Sequence, residues 1–93
     1  MTTRNVNTSG PVAGTLMTRR KDEFAELYRK FPYPNEFYMV EIANVMGENV
    51  QKCKRYAFCG IIERRGYDNP TSKRRLWRFA PWVGGWLRFY GAI

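Results

Sequence analysis

Phe24, Leu27, Tyr28 and Phe31 recur at i, i+3, i+4 and i+7, the spacing that gathers apolar side chains on one helical face. The pattern predicts a first helix from Thr18, a residue type suited to an N-cap, through Phe31, where Pro32 and Pro34 forbid continuation. Asp22, Glu23 and Glu26 in its early turns and Arg29 and Lys30 in its last suit the helix dipole, so this helix reads as core. The segment PYPNEFYM predicts a turn into a short extended stretch at Phe37-Tyr38. A second helix, Met39 to Met46, buries Ile42, Ala43 and Val45 or Met46, with Gly47 suited to a left-handed end. Asn49 is suited to cap a third helix, Val50 to Cys59, that stops at Gly60. Its periodicity puts Val50, Cys53, Tyr56, Ala57 and Cys59 inward and Gln51, Lys52, Lys54, Arg55 and Phe58 outward.

The pattern then changes. Ile61 to Arg65 and Arg74 or Arg75 to Phe79 read as the strands of a hairpin, with Gly66 to Lys73 as its loop. Tyr67-Asp68-Asn69-Pro70-Thr71-Ser72 is rich in turn formers, and Leu76, Trp77, Arg78 and Phe79 are suited to a strand. Residues 1–17, rich in Thr, Asn, Gly and Ser without an apolar period, read as a flexible arm. The C-terminal stretch after Pro81 is apolar with one charge, Arg88, and Gly84-Gly85 reads as a turn or hinge. Trp86, Phe89 and Tyr90 have helical spacing, while Leu87 and Phe89 also alternate as in a strand. Three roles stay open for this tail. It packs on the first helix to complete a small core, or forms a homodimer or partner interface through Trp82, Trp86, Leu87, Phe89 and Tyr90, or offers stacking platforms to bases or a membrane surface.

Charge sharpens this picture. Residues 1–48 carry six Lys/Arg and six Asp/Glu, whereas residues 49–79 carry nine Lys/Arg against Glu63 and Asp68, a net +7 of the chain's +8. The excess lies on the third helix and the hairpin, which implies a polyanionic partner at that face. Arg64, Arg65, Lys73, Arg74 and Arg75 flank one loop, and Gln51, Lys52, Lys54 and Arg55 share the outward helix face. Both groups are suited to contact phosphates and base edges.

Ile42-Ala43-Asn44-Val45-Met46-Gly47, twelve further residues, and then Gly60-Ile61-Ile62-Glu63-Arg64-Arg65-Gly66 resemble the winged helix-turn-helix transcription regulators, nearest the compact archaeal and phage type. The resemblance spans roughly Met39 to Pro81 and rests on spacing and residue class. It implies an α+β fold over residues 18–81, with three helices and a β-hairpin wing. The third helix would lie in a DNA major groove and the wing would flank it on the backbone. It further implies base-reading roles for Gln51, Lys52, Lys54 and Arg55, and wing contacts from Lys73, Arg74 and Arg75. Two features depart from the family pattern. The recognition helix is about a turn shorter, and Glu48-Asn49 replaces the usual Ser/Thr before it, which would set a carboxylate near phosphates.

Composition bounds the remaining possibilities. Ninety-three residues suffice for one small domain, and no apolar run approaches the 18 or so that span a bilayer. The N-terminus lacks a signal-peptide core, so the expectation is a soluble, cytoplasmic chain without a membrane partner. Cys53 and Cys59 stand about 9 Å apart along a helix axis, too far for a disulfide. Without a histidine, two thiols complete no zinc site, and the expected cofactor is none. No acid–base pair, nucleophile with a base, or phosphate-binding glycine loop assembles, so no enzyme is expected. The leading expectation is a small regulator bound to duplex DNA. The alternatives are an RNA-binding or ribosome-associated protein, and a protein–protein adaptor using the aromatic tail.

Overall fold

The structure, a computed structural model, describes residues 11–69, 71 and 74–93. In chain order its elements are α1 (Pro11–Arg19), α2 (Lys21–Lys30), β1 (Glu36–Tyr38), α3 (Met39–Met46), α4 (Val50–Cys53), α5 (Arg55–Phe58), β2 (Ile62–Tyr67), β3 (Arg75–Phe79) and α6 (Val83–Phe89). The chain is an α+β domain, with more helical segments than the three expected. Its strands form one antiparallel sheet in the order β1-β3-β2, so the last strand lies between the other two. Phe37 faces Trp77 across β1 and β3, and Ile62 faces Phe79 across β2 and β3. Between Arg64 and Tyr67 the register slips. Arg65 and Gly66 together oppose Leu76, a bulge that adds twist to the hairpin.

The core forms where the helices cover one face of this sheet. Phe79 is fully buried, with ring centroids of Phe37, Tyr28 and Phe24 at 5.3, 5.6 and 6.4 Å. Phe24 in turn meets Tyr56 edge-on at 5.1 Å, the quadrupole-favoured arrangement, so α2, α5, β1 and β3 share one aromatic cluster. Ile42, Ile61, Ile62, Leu27, Val83 and Leu87 close around it. α3 ends as its sequence predicts. Gly47 takes φ +68°, and the N–H groups of Gly47 and Glu48 both donate to the Ala43 carbonyl. Asn49 Oδ1 accepts the Lys52 N–H at 2.9 Å and caps α4.

Four expectations are corrected. Of the predicted arm, residues 1–10 lie outside the described residues, but residues 11–17 belong to α1. Pro11 takes the first helical position, where its missing N–H costs nothing, and Ala13 and Met17 are buried one turn apart. Thr18 is therefore not an N-cap: its hydroxyl donates to the Gly14 carbonyl within α1, and α2 starts afresh after Arg20. The predicted third helix is two short segments joined at Lys54. There, i to i+3 bonds replace the α-helical ladder, keeping the fully buried Cys53 and Tyr56, three apart, on one side. β2 runs through Tyr67, so Gly66 and Tyr67 belong to the strand rather than to the loop.

The aromatic tail folds back as α6, which settles Gly84-Gly85 as helix rather than hinge and excludes the strand alternative. Val83, Gly84 and Leu87 are buried, and the Trp82 indole N–H donates to the Gly60 carbonyl at 3.0 Å. Leu87 is thus core rather than interface. Gly84 lets α6 approach the ring of Tyr28, and a Cβ there would overlap the phenol, 2.7 Å from Cζ. Gly85 has open space at its own Cβ position. The two glycines should therefore respond to alanine with opposite signs. Gly84→Ala should destabilise by about 1–3 kcal/mol through overpacking, and Gly85→Ala should stabilise by roughly 0.5–1 kcal/mol through helix propensity. Denaturant unfolding of both variants checks this, and a Gly84→Ala protein as stable as wild type would refute the close packing of α6.

Candidate nucleic-acid interface

Side chains alternate across β3, and the burial of Phe79 decides which face each takes. Arg75 and Trp77 lie on the same face as Phe79, Trp77 at the edge of the core cluster and Arg75 further out, while Leu76 and Arg78 point to the opposite face. In β2, Ile62 and Arg64 pair with Phe79 and Trp77 and share their face. The hairpin thus extends past the core, and its inner face, together with α5, walls a cleft of about 910 Å³. Lys54, Phe58, Arg64, Arg75, Trp77 and Trp82 are among its lining residues. A second cleft of about 510 Å³, bounded by Tyr38, Val40 and Val50, shares Lys54, Arg75 and Trp77 with the first.

Charges divide between the two faces of the sheet. On the outer face Arg65 pairs with Glu36 at 3.2 Å and Arg78 with Glu63, which also borders the cleft, at 3.1 Å. Arg74, which with Tyr38 lines the second cleft, lies 4.0 Å from Asp68 with its guanidinium over the Tyr38 ring, whose hydroxyl also donates to Asp68. That hydrogen bond, with burial and the Asp68 charge, raises the Tyr38 pKa. Facing the cleft, Lys54, Arg64 and Arg75 have no carboxylate partner among the described residues, and Arg75 donates to the Tyr67 hydroxyl at 2.8 Å. Gln51 and Lys52 are exposed on α4.

Of the residues expected at the interface, the structure therefore brings Lys54, Arg64 and Arg75 together at the first cleft, sets Arg74 beside Lys54 and Arg75 on the second, and leaves Gln51 and Lys52 on the adjoining surface. Arg65 is turned to the outer face, because the bulge follows Arg64 and Glu36 lies across the sheet. Lys73 lies outside the described residues. Val50, expected inward, is 38% exposed, standing at the start of α4 where it borders the second cleft. Phe58, outward as expected, is 90% exposed at the mouth of the cleft. Trp77 was legible only as a strand former. Its place in the cleft follows from its register with Arg64. Phe89 and Tyr90 remain exposed beside the half-buried Trp86, whose ring meets that of Tyr90 at a tilt of 43°, centroids 4.4 Å apart.

Arg55 is the main correction. Instead of facing outward to read bases, its guanidinium donates to Glu48 Oε2 at 2.8 Å and lies over the Tyr56 ring. The Tyr56 hydroxyl donates to Glu48 Oε1 at 3.0 Å, and Arg20 approaches the same carboxylate at 3.6 Å while donating to the Met46 carbonyl. Glu48 is thus occupied internally by the junction of α1 and α2 and by α5, and does not stand bare beside a ligand. Burial acts to raise its pKa, but the hydrogen bonds from Arg55 and Tyr56 and the Arg55 and Arg20 charges outweigh it. Glu48 titrates below its ordinary 4.5. Burial, reinforced by Glu48, raises the pKa of Tyr56, and burial likewise raises both free thiols, Cys53 and Cys59, so neither is an activated nucleophile.

Among the described residues no helix is long and apolar enough to cross a membrane. Comparison with known proteins finds no matching family model, no matching curated protein and no matching solved structure.

Because the folded-state pKa of Glu48 is depressed, its ion pair contributes fully above the ordinary carboxylate value and is lost as pH falls through the lower folded value. Stability of the wild type should therefore fall between about pH 4.5 and the acid limit more steeply than that of Glu48→Gln, which should be less stable at neutral pH. Urea midpoints measured across that range check it, and parallel curves would show that Glu48 carries no linkage.

Proposed function

We propose that the chain is a winged-helix protein that binds duplex DNA. The observation that carries this reading is the one-sided distribution of cations. Glu36 and Glu63 are taken up by Arg65 and Arg78, while Lys54, Arg64 and Arg75 meet at the cleft between α5 and the hairpin without a carboxylate partner among the described residues. Such a face releases counterions when it meets a polyphosphate. The element order supports the same reading. A helix and short strand precede α3, the Gly47 turn leads to α4 and α5, and a two-stranded hairpin follows, its second strand lying between the other two. In a winged helix this order places α4–α5 at the major groove and the hairpin on the flanking backbone.

Within that reading the roles differ from those the sequence suggests. Gln51 and Lys52 on α4 and Lys54 at the joint are the groove contacts. Arg64 and Arg75 are the backbone contacts of the wing. Arg55 positions α5 by holding Glu48 and makes no contact with DNA.

Anisotropy titrations of a duplex and a structured RNA hairpin over several salt concentrations test the proposal. Duplex binding should weaken linearly with log salt. Lys54→Ala and Arg64→Ala should each reduce the slope by about 0.9 while leaving the melting temperature unchanged. Absence of duplex binding at low salt, or an RNA preference that both variants leave intact, would overturn it.

A further inference from the structure

The cleft holds more than phosphate-binding charge. Phe58, at the end of α5, is 90% exposed and has no aromatic partner among the described residues. Trp77 stands across the same cleft on β3, and its indole N–H has no acceptor among the described residues. Trp82 lines the cleft too, its ring held by the hydrogen bond to the Gly60 carbonyl. Lys54, Arg64 and Arg75 share the lining, and the one carboxylate there, Glu63, is paired with Arg78.

Phosphate contacts on a duplex would need only the cations. Aromatic side chains interleaved with unneutralised cations match the face of a base together with the phosphates on either side of it. A base inside a duplex is stacked above and below, so only an unpaired one presents a free face. We propose that the cleft between α5 and the β2–β3 hairpin holds an unpaired nucleotide of a DNA strand, its base among Phe58, Trp77 and Trp82 and its phosphates on Arg64 and Arg75, where the duplex backbone that the wing contacts runs on into the unpaired segment. The smaller adjoining cleft, which shares Lys54, Arg75 and Trp77, carries the strand onward. This rests on the nucleic-acid reading above and specifies its substrate as duplex with an unpaired segment beside it. The exposed ring of Phe58 is then a ligand contact and not a misplaced core residue.

The test compares a blunt duplex with the same duplex carrying a short thymidine overhang, for the wild type and Phe58→Ala. Phe58 is 90% exposed and makes no ring contact among the described residues, so its removal should leave the fold intact, and a melting curve verifies that. The overhang should tighten wild-type binding about tenfold and quench tryptophan emission. Phe58→Ala should lose that gain and keep its affinity for the blunt duplex. Trp77→Phe should retain most of the gain and lose the larger part of the quench. Binding of both probes with equal affinity would overturn the unpaired-nucleotide site while leaving the duplex reading standing. A Phe58-dependent gain on an overhang without blunt-duplex binding would uphold the site and sink the duplex reading. Failure to bind either probe would remove both. Poly-glutamate binding as tight as that of the overhang, and insensitive to Phe58→Ala, would assign the cleft to acidic peptide and overturn the proposal.

Discussion

Phe79 sits where three elements meet, its ring against Phe24 and Tyr28 of α2 and Phe37 of β1, and the arrangement of the hairpin follows from its burial. A strand has a period of two, so a residue held in the core dictates the facing of every other residue in that strand. With Phe79 inside, Trp77 and Arg75 must share its face, and Ile62 and Arg64 of β2 follow through the register. A slip of one residue would expose Phe79 and Trp77 and turn Leu76 and Arg78 inward, at a cost of a buried aromatic and a buried charge. The cleft is therefore a consequence of core packing: it is the part of the inner sheet face that the helices do not reach.

A second constraint acts at the other wall. Glu48 binds Arg55, Tyr56 and Arg20 together, and Tyr56 also packs on Phe24, so the polar cluster and the aromatic core hold α5 from two sides. A four-residue helix has little intrinsic stability. Its position here comes from tertiary contacts, and these fix where Lys54 and Phe58 face. The carboxylate that read as an obstacle to phosphate binding is the group that orients the helix, and its negative charge is consumed by two guanidinium groups.

Much of this was legible in the residues. α3, the left-handed Gly47, the Asn49 cap and the hairpin each carry a local signal strong enough to decide the backbone, through apolar period, glycine conformation, side-chain capping or turn chemistry. α1 was missed because Ala13, Leu16 and Met17 make a weak face interrupted by Gly14, and the helix needs α2 and α6 beside it. The split at Lys54 was missed because the periodicities of an α-helix and a tighter one scarcely diverge over ten residues. Among the cations, sequence distinguishes none. Arg55, Arg65 and Arg78 differ from Lys54 and Arg64 only in which carboxylate the fold brings within reach.

By itself, then, the sequence determined the α+β order of elements over α2 to β3, the span of α3 with its Gly47 end and the Asn49 cap, and the concentration of positive charge after residue 48, because these depend on neighbours within a few positions. The tertiary structure alone decided three things. It decided that the Gly-Gly tail is a helix, because only contact with Tyr28 and burial of Leu87 offset the poor propensity of two glycines. It decided which arginines are neutralised, because Glu36, Glu48 and Glu63 lie up to 29 residues away from their partners. And it brought Phe58 to the same cleft as Trp77, because strand register and helix packing join residues that no local pattern connects.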